Sequence, residues 1–170
     1  MKKLKFLGMM MLISCTSWMG YLASHKLLMR KIFMEQYLQF IGFVQVQIGY
    51  AAISPYKIAK KYPARSEIGI FLEDLKQELA CRENFPKAWS NSIKKTKREF
   101  GLTESDVDMI LDFGEKLGTS DIRSQLKHCE VHTKLASEHL KEAERMKKEM
   151  SRLYLTLGIT IGTGLSLLFI

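Results

Sequence analysis

Apolar residues form two uninterrupted runs, with a periodic region between them. Phe6 to Ala23 is 18 residues without a charge, preceded by Lys2, Lys3 and Lys5. Leu153 to Ile170 is a second uncharged run of 18 residues. At about 1.5 Å per helical residue, either run is just long enough to cross a bilayer core. The pattern predicts a membrane anchor over 1–23, a soluble α-helical domain over 24–152 and a transmembrane helix over 153–170. Trp18 and Tyr21 lie near the far end of the first run, where interfacial aromatics collect. A cleavable signal peptide is the rival reading, but no small-x-small cleavage site follows the run. Leu12-Ile13-Ser14-Cys15 has the form of a lipoprotein box, in which Cys15 is lipidated after cleavage. Against it, the chain stays apolar as far as Ala23.

The region between the runs reads as helical. Pro55, Pro63 and Pro86 each fall where one helical pattern ends and another can begin. From Leu27 to about Ile53 a wide apolar stripe carries Met34, Leu38, Ile41, Ile48 and Ala52, joined by Phe33, Tyr37, Phe40 and Val44. Gln36, Gln39, Gln45 and Gln47 argue for a buried bundle helix rather than a third membrane span. Val44-Gln45-Val46-Gln47-Ile48 alternates as a strand does, so pattern alone leaves this piece open. Glu67–Cys81 places Ile68, Phe71, Leu72, Leu75 and Leu79 on one side. Pro86 opens a helix through Trp89 and Ile93 to Phe100, punctuated by Gly101. Thr103 offers an N-cap with Asp106 three residues on. The helix it opens carries Val107, Ile110 and Leu111, and Gly118 is placed to end it.

Ser120 or Asp121 caps the last helix. From it a 4/3 rhythm runs through Ile122, Leu126, Cys129, Thr133, Ala136, Leu140, Ala143, Lys147 and Met150, with Glu138, Lys141, Glu142, Glu144, Arg145 and Lys148 opposite. Small residues at 129, 136 and 143 permit close helix approach, and the helix from residue 27 is the expected antiparallel partner. In the final run, Gly158, Gly162 and Ser166 recur every fourth residue, a face that lets membrane helices pack backbone to backbone. The fold class expected is therefore all-α: a soluble helical bundle with a long C-terminal helix, flanked by N- and C-terminal transmembrane helices.

Charge changes the picture little. All 18 acidic residues and 23 of the 26 basic ones lie in 24–152, which leaves an excess of five positive charges there. No C2H2 spacing or aromatic RNA-binding pattern accompanies that excess, so nucleic acid is not an expected partner, and a domain beside an anionic membrane is the simpler reading. Cys15, Cys81 and Cys129 form neither a disulfide framework nor a zinc spacing. His128 and His132 are four apart, with His139 a heptad further on, but no HExxH is present and the face looks otherwise solvated. Asp106, Asp108 and Asp112 read as an ordinary charged helix face. No phosphate-binding loop, nucleophile elbow or dinucleotide fingerprint occurs. No catalytic residue, cofactor or metal site is expected, and the chain reads as an adaptor rather than an enzyme.

Particular residues do point to a family. Phe113-Gly114-Glu115-Lys116-Leu117-Gly118, then Ser120-Asp121, Gln125 and Lys127-His128, resembles the signature of the stage III sporulation protein AB family. Leu140 with Ala143, the charged helix to Tyr154, and Leu157-Gly158 continue the likeness. So do Ala88-Trp89 with Ser92-Ile93-Lys94-Lys95, Gly49-Tyr50 before Ser54-Pro55, and Thr16-Ser17-Trp18 followed by Gly20. The likeness spans the chain in order and is densest after residue 110. It departs at Leu155, where the family has an arginine after the tyrosine, and residues 56–84 match weakly.

The resemblance implies a biology that composition does not show. Such proteins are made in the mother cell of endospore-forming bacteria and sit in the mother-cell membrane around the forespore. They belong to a secretion-like assembly linking the two cells, needed for late forespore gene expression. The soluble domain is similar to the helical cytoplasmic domain of type II secretion platform proteins. The implied partners are other stage III membrane proteins, a secretion-type ATPase and membrane lipid; a second copy of the chain is a further candidate. Contacts are expected on Asp121, Gln125, Lys127 and His128, and in the membrane on Gly158, Gly162 and Ser166. The plainer alternative is that Asp121 and Gln125 only cap and pack the last helix. Lys26, Arg30, Lys31, Lys147, Lys148 and Arg152 outnumber Lys2, Lys3 and Lys5, which favours a cytoplasmic domain. A lipoprotein with an extracytoplasmic domain and a membrane-tethered basic nucleic-acid binder remain the alternatives.

Overall fold

Apolar residues at helical spacing, broken only at capping residues, produce six α-helices among the described residues of the computed structural model. These are α1 (Lys2–Ala51), α2 (Pro55–Lys61), α3 (Glu67–Ala80), α4 (Phe85–Phe100), α5 (Glu104–Lys116) and α6 (Ile122–Leu168). The structure describes residues 2–51, 54–62, 67–81 and 84–168, without the side chains of 2–7, 9, 12, 13, 51, 55, 56, 155 and 165–168. The chain divides into two units, Met29–Glu142 and the combination of Met1–Leu28 with Ala143–Ile170.

In Met29–Glu142 the core runs through every helix. Phe33, Met34, Tyr37, Phe40, Ile41, Val44 and Ile48 of α1 are buried with Phe71, Leu72 and Leu75 of α3, Trp89 and Ile93 of α4, and Ile110 and Phe113 of α5. Each such side chain contributes about 1.5–3 kcal/mol through burial. The ambiguous Val44–Ile48 piece is helix: Val44 and Ile48 are buried and Val46 is 52% exposed, which continues the 3.6-residue stripe. The glutamines of α1 are not uniformly buried. Gln39 is exposed, whereas Gln36 caps α3, accepting from the Ile68 backbone N–H at 2.8 Å and donating to Glu67 at 2.8 Å.

The helix ends follow local chemistry. Pro55 opens α2. Asn84 accepts from the Lys87 N–H at 3.0 Å ahead of Pro86 in α4. Gly101 ends that helix with φ 63°, and Gly118 follows α5 with φ 81°. At these left-handed angles a Cβ is strained. Thr103 and Asp106 form a reciprocal capping box. Pro63 and Ala52 lie outside the described residues.

Along α6 the buried face is turned from the expected one. Cys129, Ala136 and Ala143 are buried, but Ile122 is 49% exposed, and the seam passes instead through Gln125 and His132. The polar pair is buried because it is bonded: Gln125 donates to the Ser120 carbonyl at 3.0 Å, and His132 meets Asp112 at 3.1 Å. In this unit α6 runs antiparallel to α1, since Arg30 reaches Glu142 at 3.0 Å and Gly49 faces Leu126.

In the other unit the two helices also run antiparallel, through hydroxyl groups and glycines. Ser24 Oγ hydrogen-bonds Ser151 Oγ. A Cβ on Gly20 would lie 2.5 Å from the Tyr154 carbonyl oxygen, and one on Gly158 2.8 Å from that of Thr16. Gly20, Gly158 and Gly162 are buried, while Met11, Trp18, Met19, Tyr21, Leu157 and Ile161 are exposed. No helix among the described residues is long and apolar enough to cross a membrane. The anchors expected over 6–23 and 153–170 depend partly on side chains outside those residues, among them Phe6, Leu7, Leu12, Ile13 and Ser166.

Candidate functional site

The residues that stood out in the sequence meet at the α5–α6 corner. Trp89 anchors it from α4. Its indole Nε1 donates to the Ile110 carbonyl at 2.8 Å, and its five-membered ring lies directly over Gly114. Phe113 stacks on His128 with ring centroids 5.4 Å apart and planes 10° apart. Asp121 then starts α6, accepting from the Ser124 backbone N–H and from the Ser124 hydroxyl, both at 3.0 Å. Those bonds hold its carboxyl below the usual aspartate range. The expected contact residues therefore divide. Asp121 caps, Gln125 is buried against the Ser120 carbonyl, and His128 is half-buried with Nε2 3.3 Å from the Phe113 carbonyl oxygen. Lys127 alone of the four is an exposed side chain without a structural bond to name; it borders an open depression of about 580 Å³ lined by Arg123, Ser124, Leu126, Lys127 and Glu130. Beside Gly49, which faces Leu126, Tyr50 is 91% exposed.

A second polar cluster was not visible in the sequence. Arg30, read there as a charge flanking a membrane run, is 3% exposed, and Asp106, read as part of a solvated face, is fully buried. Arg30 Nε donates to Asp106 Oδ2 at 2.7 Å, and its Nη2 to Asp106 Oδ1 and Glu142, both at 3.0 Å. His139 Nδ1 lies 2.7 Å from Asp106 Oδ1, and the Thr103 N–H donates to Oδ2 at 2.9 Å. Burial raises the Asp106 pKa, but hydrogen bonds from Arg30, His139 and Thr103 outweigh it and bring it below the ordinary value. Every oxygen lone pair of this buried carboxylate has a use, which a buried charge requires. Neither residue's neighbourhood told of its inward direction: Arg30 stood among charges flanking an apolar run, and the capping box located Asp106 only at the start of α5.

Asp112 belongs to a third group. Its Oδ2 meets His132 at 3.1 Å, and Lys116 bonds its Oδ1. The His128 and His132 rings lie 4.4 Å apart, so Asp112, His128 and His132 converge, whereas His139 is turned to Asp106. Burial, then the neighbouring His128, lowers the His132 pKa. Cys129 is fully buried and its thiol pushed up to about 11 by burial, an inert state. All three cysteines are free.

The geometry defines an all-α protein built on two long helices, with one polar group where α5 turns into α6 and another around the buried Arg30–Asp106 pair. The model of the stage III sporulation protein AB family matches residues 5–170, and the chain belongs to that family. It is similar to stage III sporulation protein AB of Bacillus subtilis (strain 168), at 27% identity over 97% of this chain and 98% of that protein. No solved structure matches it.

Proposed function

We propose that this sporulation-family protein is a non-catalytic, membrane-anchored platform subunit. It joins other stage III membrane proteins to a secretion-type ATPase in the channel between mother cell and forespore, with Met29–Glu142 in the mother-cell cytoplasm. The observation that carries the membrane part is the inside-out packing of the unit formed by α1 up to Leu28 and α6 from Ala143. Among its described residues the buried positions are the small ones, Gly20, Ala143, Gly158 and Gly162, while large apolar side chains of the two apolar runs are exposed, among them Met11 at 76%, Met19 at 66% and Ile161 at 51%. In water such a surface is unfavourable; between lipid chains it is the ordinary arrangement, with small residues at the helix contact. The adaptor part is supported by the use of the buried charges: Arg30 and Asp106 are spent on each other, with the half-exposed Glu142 as a further partner of Arg30.

Deletion in the native host tests the reading, scored for heat-resistant spores and late forespore gene expression and paired with membrane fractionation of the tagged protein. The expected result is normal engulfment, blocked forespore expression and a protein extracted only by detergent. Normal spore counts from a strain without a duplicate gene, or release of the protein by salt or carbonate, would count against it.

A further inference from the structure

We propose that Asp112, His128 and His132 bind a single divalent transition-metal ion of the zinc type, which ties α5 to the start of α6. One donor atom from each of the three residues lies within 4.8 Å of the others. Around zinc, bond lengths of about 2.0–2.1 Å put neighbouring donors roughly 3.3 Å apart, so small side-chain rotations close the site. His132 Nε2 and Asp112 Oδ2 are already 3.1 Å apart, and the ion takes the place of the proton between them.

The surroundings suit a ligand set better than a chance cluster. Two histidines four apart on one helix present their rings on one side, the spacing that helical zinc sites use. The third donor arrives from the preceding helix. His128 is held by the parallel face of Phe113, and its Nε2 lies 3.3 Å from the Phe113 carbonyl oxygen. An Nε2–H donated there leaves Nδ1 with its lone pair free, an outer contact that metal-binding imidazoles commonly have. Lys116 holds the other oxygen of Asp112 in the same way. The plain alternative is that the His132–Asp112 bond alone fastens the two helices. That bond uses only two of the three converging donors and gives no role to the third, on His128, which lies within 4.8 Å of both.

Two imidazoles and one carboxylate favour zinc, or its nickel and copper neighbours, over calcium and magnesium, which take sets of oxygen ligands. A three-residue set leaves a fourth position for water or for a side chain of a neighbouring protein.

The test uses the full chain in detergent, stripped with EDTA and titrated calorimetrically with zinc chloride, with cobalt absorption reporting coordination. One ion per chain and a tetrahedral cobalt spectrum are expected. Asp112→Asn and His128→Gln should each weaken binding at least about 10-fold, while His25→Gln, on the exposed face of the other unit, binds as the unaltered protein does. Circular dichroism in EDTA checks that the variants stay folded. Absence of saturable binding at about 100 μM zinc, an octahedral cobalt spectrum, or unchanged affinity in both variants overturns the site. These readouts come from purified protein, so they stand or fall separately from the role in sporulation.

Discussion

Trp89 lies so close over Gly114 that a Cβ at residue 114 would overlap the indole Cγ, Cδ1 and Nε1. The same ring donates its N–H to the Ile110 carbonyl at 2.8 Å. Gly114→Ala therefore sets two effects against each other. Alanine favours the helix by about 1 kcal/mol. Forcing the indole away costs about 1–3 kcal/mol in overpacking and about 1 kcal/mol for its hydrogen bond. The clash wins, and Gly114→Ala should destabilise Met29–Glu142 by about 1–3 kcal/mol in urea unfolding. Trp89→Phe in the same chain should recover part of that loss, a coupling that a double-mutant cycle measures. A neutral Gly114→Ala would mean that the indole has somewhere else to go.

The Arg30–Asp106 pair gives a pH prediction. The folded pKa of Asp106 is lowered by its hydrogen bonds, so the unfolded chain binds the proton more readily. The stabilisation is then complete above the unfolded value of about 3.9 and is lost as pH falls through the folded one. Asp106→Asn leaves Arg30 buried with only the half-exposed Glu142, and should cost about 3 kcal/mol at pH 7. It should also flatten the fall in stability below about pH 4. Unfolding curves of both proteins between acid and neutral pH check this; parallel curves would remove Asp106 from the acid response.

Much of this fold was legible because its signals are local. Gly101, Gly118, the Thr103–Asp106 box and the proline at the start of α4 each act within one turn of chain, and each marks a helix end in the structure. The stripe Phe33–Ile48 was readable for the same reason: one face of one helix carries it. What was illegible depends on pairing across the chain. Arg30 and Asp106 are 76 residues apart, and nothing in either neighbourhood tells one that the other exists. His132 read as solvated because a 4/3 rhythm through Ile122 and Thr133 turned α6 away from it. Asp112 and the Ser120 carbonyl, by bonding His132 and Gln125, make the other face the cheaper one to bury. The family signature shared this blindness in part: Gly114, Asp121 and Gln125 stand in it, and all three have packing or capping work at the corner.

That division of roles predicts two kinds of variant. Asp121→Ala removes an N-cap and should cost about 1 kcal/mol of stability, with any fall in spore yield explained by reduced protein level. Lys127→Glu and Tyr50→Ala alter exposed side chains and should leave stability within about 0.5 kcal/mol. If partners dock at this corner, these two lower spore yield at normal protein level, and Asp121→Ala restored to normal level does not. Immunoblots beside spore counts separate the cases; the opposite pattern would move the docking surface off Lys127 and Tyr50.

Gly158 allows the sharpest test of the paired helix ends. Its position leaves 2.8 Å between an added Cβ and the Thr16 carbonyl oxygen, and that oxygen belongs to helix backbone, which cannot swing aside as a side chain can. Gly158→Leu should therefore part the two helices locally, and Gly162→Leu, buried on the same face one turn on, should add to it. Ser24 and Ser151 report the pairing, since their hydroxyls hydrogen-bond each other. In a chain with its three native cysteines replaced, Ser24→Cys with Ser151→Cys should cross-link in membranes on mild oxidation. Adding Gly158→Leu and Gly162→Leu should abolish most of that cross-link. Gly158 lies in the unit of residues 1–28 and 143–170, so the thermal unfolding of Met29–Glu142 should stay where it was. Recovery of partner proteins with the tagged chain should fall with the cross-link. Full cross-linking and normal recovery in the leucine variant would show that the glycine contact is dispensable.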